Sequence, residues 1–149
     1  MAAKNRSFGE RSLKALEDVH PDLIKVLELA LDTCEHDFFV NEGVRTEQRQ
    51  RELYAQGRTK PGNKVTWTLV SNHFKNAKTK KGHAVDIYKH PFDNKQTPAV
   101  SKAIAKAVLQ AADKLDIPVR WGGDWDMDGN FFERGESDSP HFELWGYGR

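Results

Sequence analysis

The stretch Asp138-Ser139-Pro140-His141-Phe142-Glu143-Leu144 decides how the rest of the chain is read. From His141 onward, polar and apolar residues alternate, and successive side chains on a strand point to opposite faces. Phe142 and Leu144 then share a buried face, which leaves His141 and Glu143 on the other. Pro140 has no backbone donor and holds the residue before it extended, so Asp138 belongs to a turn at the strand's mouth. A carboxylate three positions ahead of a histidine can serve as a general base beside a metal ligand. The plainer alternative is a surface turn leading into an edge strand.

A second stretch bears on that choice: Ser71-Asn72-His73, then Gly82-His83-Ala84-Val85-Asp86-Ile87. Ala84 to Tyr88 reads as a strand on which Asp86 shares a face with Ala84 and Tyr88, while His83, Val85 and Ile87 face the other way. Small Ala84 leaves room for an ion beside Asp86. His83 and Asp86 are a poor ligand pair across opposite faces, which favours His73. Zinc takes histidine nitrogen and carboxylate oxygen, and catalytic sites keep three protein ligands and one open position. His73, Asp86 and His141 supply such a set.

Around these stretches the chain reads as helices first and strands after. Ser7 to Glu10 has the spacing of a capping box before a short helix carrying Leu13 and Leu16. His20-Pro21-Asp22 opens a second helix, with Leu23, Ile24, Val26, Leu27, Ala30 and Leu31 along its core face. Asp37 to Val40 is a buried strand running on toward Gly43-Val44-Arg45. Thr46 caps a third helix over Glu47 to Gln56, placing Arg45 at the strand-to-helix passage. There it either acts in a site or pairs with an acid such as Glu42. Val65 to Val70 is a strand, and residues 74–81 form a lysine-rich loop. Ala99 to Leu115 is a helix with Ile104, Ala107, Val108, Ala111 and Leu115 down one face. Pro118 to Trp121 is a strand broken by Gly122-Gly123. The order predicts an α+β fold with a mainly antiparallel sheet.

Composition narrows the function. The 149 residues fit one domain, 1–149, with no separate wall-binding module. A net charge of +1 gives no field for nucleic acid or an anionic membrane. The absence of an aromatic-rich basic groove also disfavours a metal-dependent nuclease. The single cysteine, Cys34, sits in an apolar helical pattern and reads as a buried thiol of a reducing compartment. The first residues carry no apolar run, so no signal peptide and no membrane insertion are expected.

Ser71-x-His73 … Gly82-x-Ala84-x-Asp86, followed by Asp138-x-x-His141, resembles zinc peptidases that include D-alanyl-D-alanine carboxypeptidases and dipeptidases. It is most similar to the L-alanyl-D-glutamate peptidases that serve as phage endolysins. His20-Pro21-Asp22-Leu23, Gly43-Val44-Arg45-Thr46 and Trp121-Gly122-Gly123-Asp124-Trp125 extend the likeness over nearly the whole chain. The resemblance implies the compact fold shared with the hedgehog signalling domain. It implies zinc on His73, Asp86 and His141, Asp138 as the catalytic carboxylate, and Arg45 steadying the reacting carbonyl. The implied substrate is the L-Ala–D-Glu amide of bacterial peptidoglycan. The protein is then a monomer made in the host cytoplasm, which reaches the wall after a holin opens the membrane. Two other readings stay open: a carboxypeptidase or dipeptidase acting on D-Ala-D-Ala, and a non-catalytic zinc-stabilised wall-binding module.

One departure from the pattern matters. Twelve residues, Phe74 to Val85, separate His73 from Asp86 where the family has six. Doubling a flexible loop costs only about 0.6 kcal/mol of closure entropy, so both ligands can still meet one ion. His83 is the fallback first ligand. Asp124-x-Asp126-x-Asp128-Gly129-Asn130 resembles the start of an EF-hand calcium loop, but Gly135 stands where its bidentate glutamate belongs. A calcium site at Asp124, Asp126, Asp128 and Asn130 and a solvated turn remain the two readings of that loop.

Overall fold

A computed structural model describes residues 6–44, 51–52, 54–56, 58–59, 79–92, 96–124, 127 and 139–146. The expected strand over Val65 to Val70 lies outside them, as does half of the helix expected over Glu47 to Gln56.

The first helix, α1 (Glu10–Ala15), starts from Gly9, whose position at the N-cap carries no side-chain hydrogen bond. The Ser7–Glu10 capping box is therefore not formed, because the helix begins two residues later than that pattern requires. Ser12 turns inward from α1 and its Oγ accepts the Val40 N–H at 3.0 Å. That contact satisfies a backbone donor on the outer side of strand β1 (Phe38–Glu42).

Helix α2 (Pro21–Thr33) begins as its sequence dictates, with proline in the first turn, where a missing N–H costs nothing. The His20 ring caps it, Nδ1 accepting the Asp22 N–H at 3.1 Å. Leu23, Val26, Leu27, Ala30 and Leu31 are all buried, as the helical spacing predicts. At its far end the Arg6 guanidinium donates to the carbonyls of Leu31, Cys34 and His36, a cation on the negative end of the helix.

Helix α3 (Pro98–Leu115) is capped by Thr97, whose Oγ1 accepts the Val100 N–H at 3.3 Å. It buries Ile104, Ala105, Ala107, Val108, Ala111 and Ala112 against α2 and the sheet. Leu115 departs from the expected core face and is 39% exposed. The chain turns through a left-handed Asp116, and the Ile117 N–H returns to the Ala112 carbonyl at 2.9 Å. Ile117 packs on the core in its place.

Strands β1, β2 (Ala84–Lys89), β3 (Val119–Trp121) and β4 (His141–Leu144) form one antiparallel sheet in the order β1-β2-β4-β3. The architecture is α+β, as the element order predicted. Strand β4 is not an edge strand: it lies between β2 and β3, and all four of its residues are buried. Alternation alone marked only Phe142 and Leu144 for burial. On the His141–Glu143 face, Asp86 and Arg120 from the strands on either side flank those two residues. The opposite face carries Val40, Val85, Ile87, Val119, Trp121, Phe142 and Leu144 into the core with α2 and α3.

Candidate active site

Three antiparallel strands bring the polar face together. Asp86 is the direct partner of His141, and Ala84 of Glu143, across β2 and β4. On the other side Arg120 is the partner of Glu143, across β3 and β4. Directly opposed residues project to the same face. Asp86, Ala84, His141, Glu143 and Arg120 therefore form one polar patch on a sheet whose reverse is the hydrophobic core. A bulge between Val40 and Glu42 in β1 adds to it, because the register there sets Glu42 rather than Asn41 opposite Asp86.

His141 is held from two sides. Its Nε2 lies 3.1 Å from Glu143 Oε1, and its Nδ1 lies 3.5 Å from Asp86 Oδ1. An ionised carboxylate only accepts, so the Nε2–H donates to Glu143 and Nδ1 is the nitrogen turned toward Asp86. Burial alone would raise the Glu143 carboxyl. The hydrogen bond and charge of His141, with the Arg120 guanidinium, outweigh burial and hold it below the ordinary carboxylate range. Arg120 Nη2 is 3.3 Å from Glu143 Oε1, and its guanidinium stacks over Trp145 at 4.2 Å. Sequence reasoning missed Arg120. Its signal was the parity of Val119-Arg120-Trp121, which puts a lone cation on the polar face between two core residues.

The turn ahead of His141 is anchored as well. Trp121 Nε1 donates to the Ser139 carbonyl at 2.7 Å, and the Ile87 N–H to the Pro140 carbonyl at 2.9 Å. These bonds tie the approach to His141 to the middle of the sheet.

The donor pair fits a zinc ion. Ligand bonds of about 2.0–2.1 Å at tetrahedral angles separate two donor atoms by about 3.4 Å. Asp86 Oδ1 and His141 Nδ1 stand 3.5 Å apart, with Glu143 fixing the far side of the imidazole. His73, Asp138 and Arg45 lie outside the described residues, as do Asp126, Asp128 and Asn130. Asp124 is described and buried, its N–H donating to the Trp121 carbonyl at 3.0 Å.

His83 has different company. It is buried, its Nε2 is 2.7 Å from Thr79 Oγ1, and its ring meets His20 edge-on with centroids 5.6 Å apart. Burial, reinforced by the neighbouring His20, lowers its pKa against the opposing pull of Glu143. Among the described residues no three His, Cys, Asp or Glu side chains converge as a metal group. His83 thus does not complete a trio with Asp86 and His141.

Comparison with known families matches residues 5–145 to the phage L-alanyl-D-glutamate peptidases. The chain belongs to that family. It is 31% identical over 144 residues to the L-alanyl-D-glutamate peptidase of Escherichia phage T5, covering 92% of this chain and 96% of that protein. It is also 31% identical over 138 residues to the peptidoglycan L-alanyl-D-glutamate endopeptidase CwlK of Bacillus subtilis strain 168, covering 85% and 74%. Among solved structures, the Serratia marcescens L-Ala D-Glu endopeptidase ChiX superimposes with a TM-score of 0.69 at 34% identity, covering 95% and 91%. As a member of the phage L-alanyl-D-glutamate peptidase family, the chain carries the Asp86–His141 pair on a fold that this structural relative shares.

Proposed function

We propose that the protein is a phage endolysin that hydrolyses the L-Ala–D-Glu amide of peptidoglycan stem peptides with a zinc ion held by His73, Asp86 and His141. The observation that supports it best is the facing of Asp86 and His141 across β2 and β4 at a separation suited to one ion, in a chain of this peptidase family. Zinc would supply Lewis acidity that readies water for attack near neutral pH. Asp138, three residues before His141, would take the proton of the attacking water and return it to the leaving amine. Arg45 would steady the oxyanion of the tetrahedral intermediate. Glu143 would hold the His141 ring so that Nδ1 faces the ion.

No helix among the described residues is long and apolar enough to cross a membrane. We propose a monomer made in the host cytoplasm that meets the wall once a holin has opened the membrane. A calcium ion on Asp124, Asp126, Asp128 and Asn130 belongs to the same proposal, supported by the EF-hand-like spacing of that loop. It would raise the melting temperature; a melting curve unmoved by calcium would remove it.

The test is mass spectrometry of Gram-negative peptidoglycan digested by metal-free and by zinc-reconstituted protein. New amino-terminal D-Glu on zinc-dependent products supports the proposal. Released D-Ala or D-Ala-D-Ala would make the protein a carboxypeptidase or dipeptidase. Stoichiometric zinc with no cleavage would leave a wall-binding module.

A further inference from the structure

The polar patch continues along the same sheet face into a group of aromatic rings. Tyr88 follows Asp86 by two positions on β2 and so shares its face, about 7 Å further along. Phe39 is the direct partner of Tyr88 on β1, with ring centroids 6.2 Å apart. Phe92 folds back from beyond β2 onto both, 5.3 Å from Tyr88 and 6.1 Å from Phe39, each time edge to face. These rings lie opposite the hydrophobic core, and Phe92 is 57% exposed. A contiguous apolar patch, unlike a lone exposed residue, marks an interaction site.

We propose that Phe39, Tyr88 and Phe92 form an aromatic platform that binds a pyranose ring of the glycan strand beside the scissile amide. The proposal rests on the peptidase reading above and adds the sugar to it. A pyranose presents apolar C–H faces and a rim of hydroxyls, which need ring faces bordered by polar groups. That border is present: Arg11 lies over Phe39 at 4.9 Å and donates to Asn41 Oδ1 at 2.7 Å, while the His90 ring packs edge-on to Phe39 at 6.3 Å. Arg11, Phe39, His90 and Phe92 line a cavity of about 520 Å³, within the usual range for ligand sites.

Charge selects the sugar over the other arm of the substrate. Glu10 and Asp37 outnumber Arg11 along the same cavity, which disfavours the acidic D-Glu side of the cut bond. Length agrees as well. The sugar is joined to L-Ala through a short acyl link, and one residue plus a link of similar length spans about 7 Å. That equals the step from Asp86 to Tyr88.

The test is an NMR titration of the zinc-supplemented full chain with N-acetylmuramoyl-L-alanine and with N-acetyl-L-alanine. Neither probe contains the scissile bond, so the result does not depend on turnover. The sugar-bearing probe should bind about tenfold more tightly, the value of one good ring contact. Phe92→Ala and Tyr88→Leu should remove most of that advantage and leave the sugar-free probe unchanged, with unaltered melting curves as the check on folding. Equal affinity of the two probes, or an advantage that survives both variants, would overturn the platform. So would a dimer that Phe92→Ala dissociates without any effect on sugar binding. Failure of the peptidase reading is seen separately, as zinc-loaded protein that does not cut an L-Ala–D-Glu peptide.

Discussion

Glu143 sits between His141 and Arg120, its Oε1 3.1 Å from the His141 Nε2 and 3.3 Å from an Arg120 guanidinium nitrogen. One carboxylate thus fixes the imidazole and is itself fixed by a half-buried cation. Outer partners of this kind set the ring orientation of a metal-binding histidine.

Glu143→Gln keeps an acceptor but loses the charge. It should weaken zinc binding about 10- to 100-fold. Competition against a chelator of known affinity reads this directly. Glu143→Ala leaves the Arg120 guanidinium without this buried partner and should cost about 3–5 kcal/mol of folding stability. Urea denaturation measures that loss.

Gly43 is where the strand leading toward Arg45 passes α1. A Cβ there would collide with the Ala15 carbonyl oxygen and crowd Val19. Gly43→Ala should destabilise the fold by about 1–3 kcal/mol, a fall of several degrees in melting temperature. An unchanged melting curve would show that α1 can yield at this point.

His83 gives a pH effect of defined sign. Its pKa is lowered in the fold by burial and then by His20, with Glu143 acting the other way. The unfolded chain therefore binds a proton near the ordinary value of 6.5 that the folded chain refuses. Stability from this residue is present above that value and is lost as the pH falls below it. His83→Gln should flatten the acid side of the melting-temperature profile. An identical slope in the variant would assign the effect to other groups.

Cys34 is buried at the end of α2, and burial raises its thiol pKa. It should resist a disulfide reagent at neutral pH in the native protein and react at once in denaturant. A fast native reaction would mean that this end of α2 opens readily.

Much of this was legible in the order of residues. Helix α2 follows from apolar spacing with proline in the first turn, α3 from apolar spacing, and β2 from alternation, because those signals are local. Parity on single strands also put Asp86 on one face and His141 with Glu143 on another. What the chain alone could not say was that these faces are the same one. That depends on β4 pairing between β2 and β3, a register set by contacts distant in sequence. The bulge that turns Glu42 toward Asp86, and Arg120 as the partner of Glu143, are hidden for the same reason. The misplaced capping box and exposed Leu115 are end effects, where helix termini are set by the turns that follow them. The Asp138-x-x-His141 spacing was visible, but only tertiary structure ties its turn to the Trp121 ring.

The measurement that bears most directly on the metal centre is calorimetric titration of zinc into the metal-free chain and into Asp86→Ala and His141→Ala. The expected result is one ion per wild-type chain and loss of that binding in both variants, with circular dichroism showing that each remains folded. Unchanged zinc binding in either folded variant would contradict the Asp86–His141 centre, and with it the assignment of the polar sheet face as the catalytic surface.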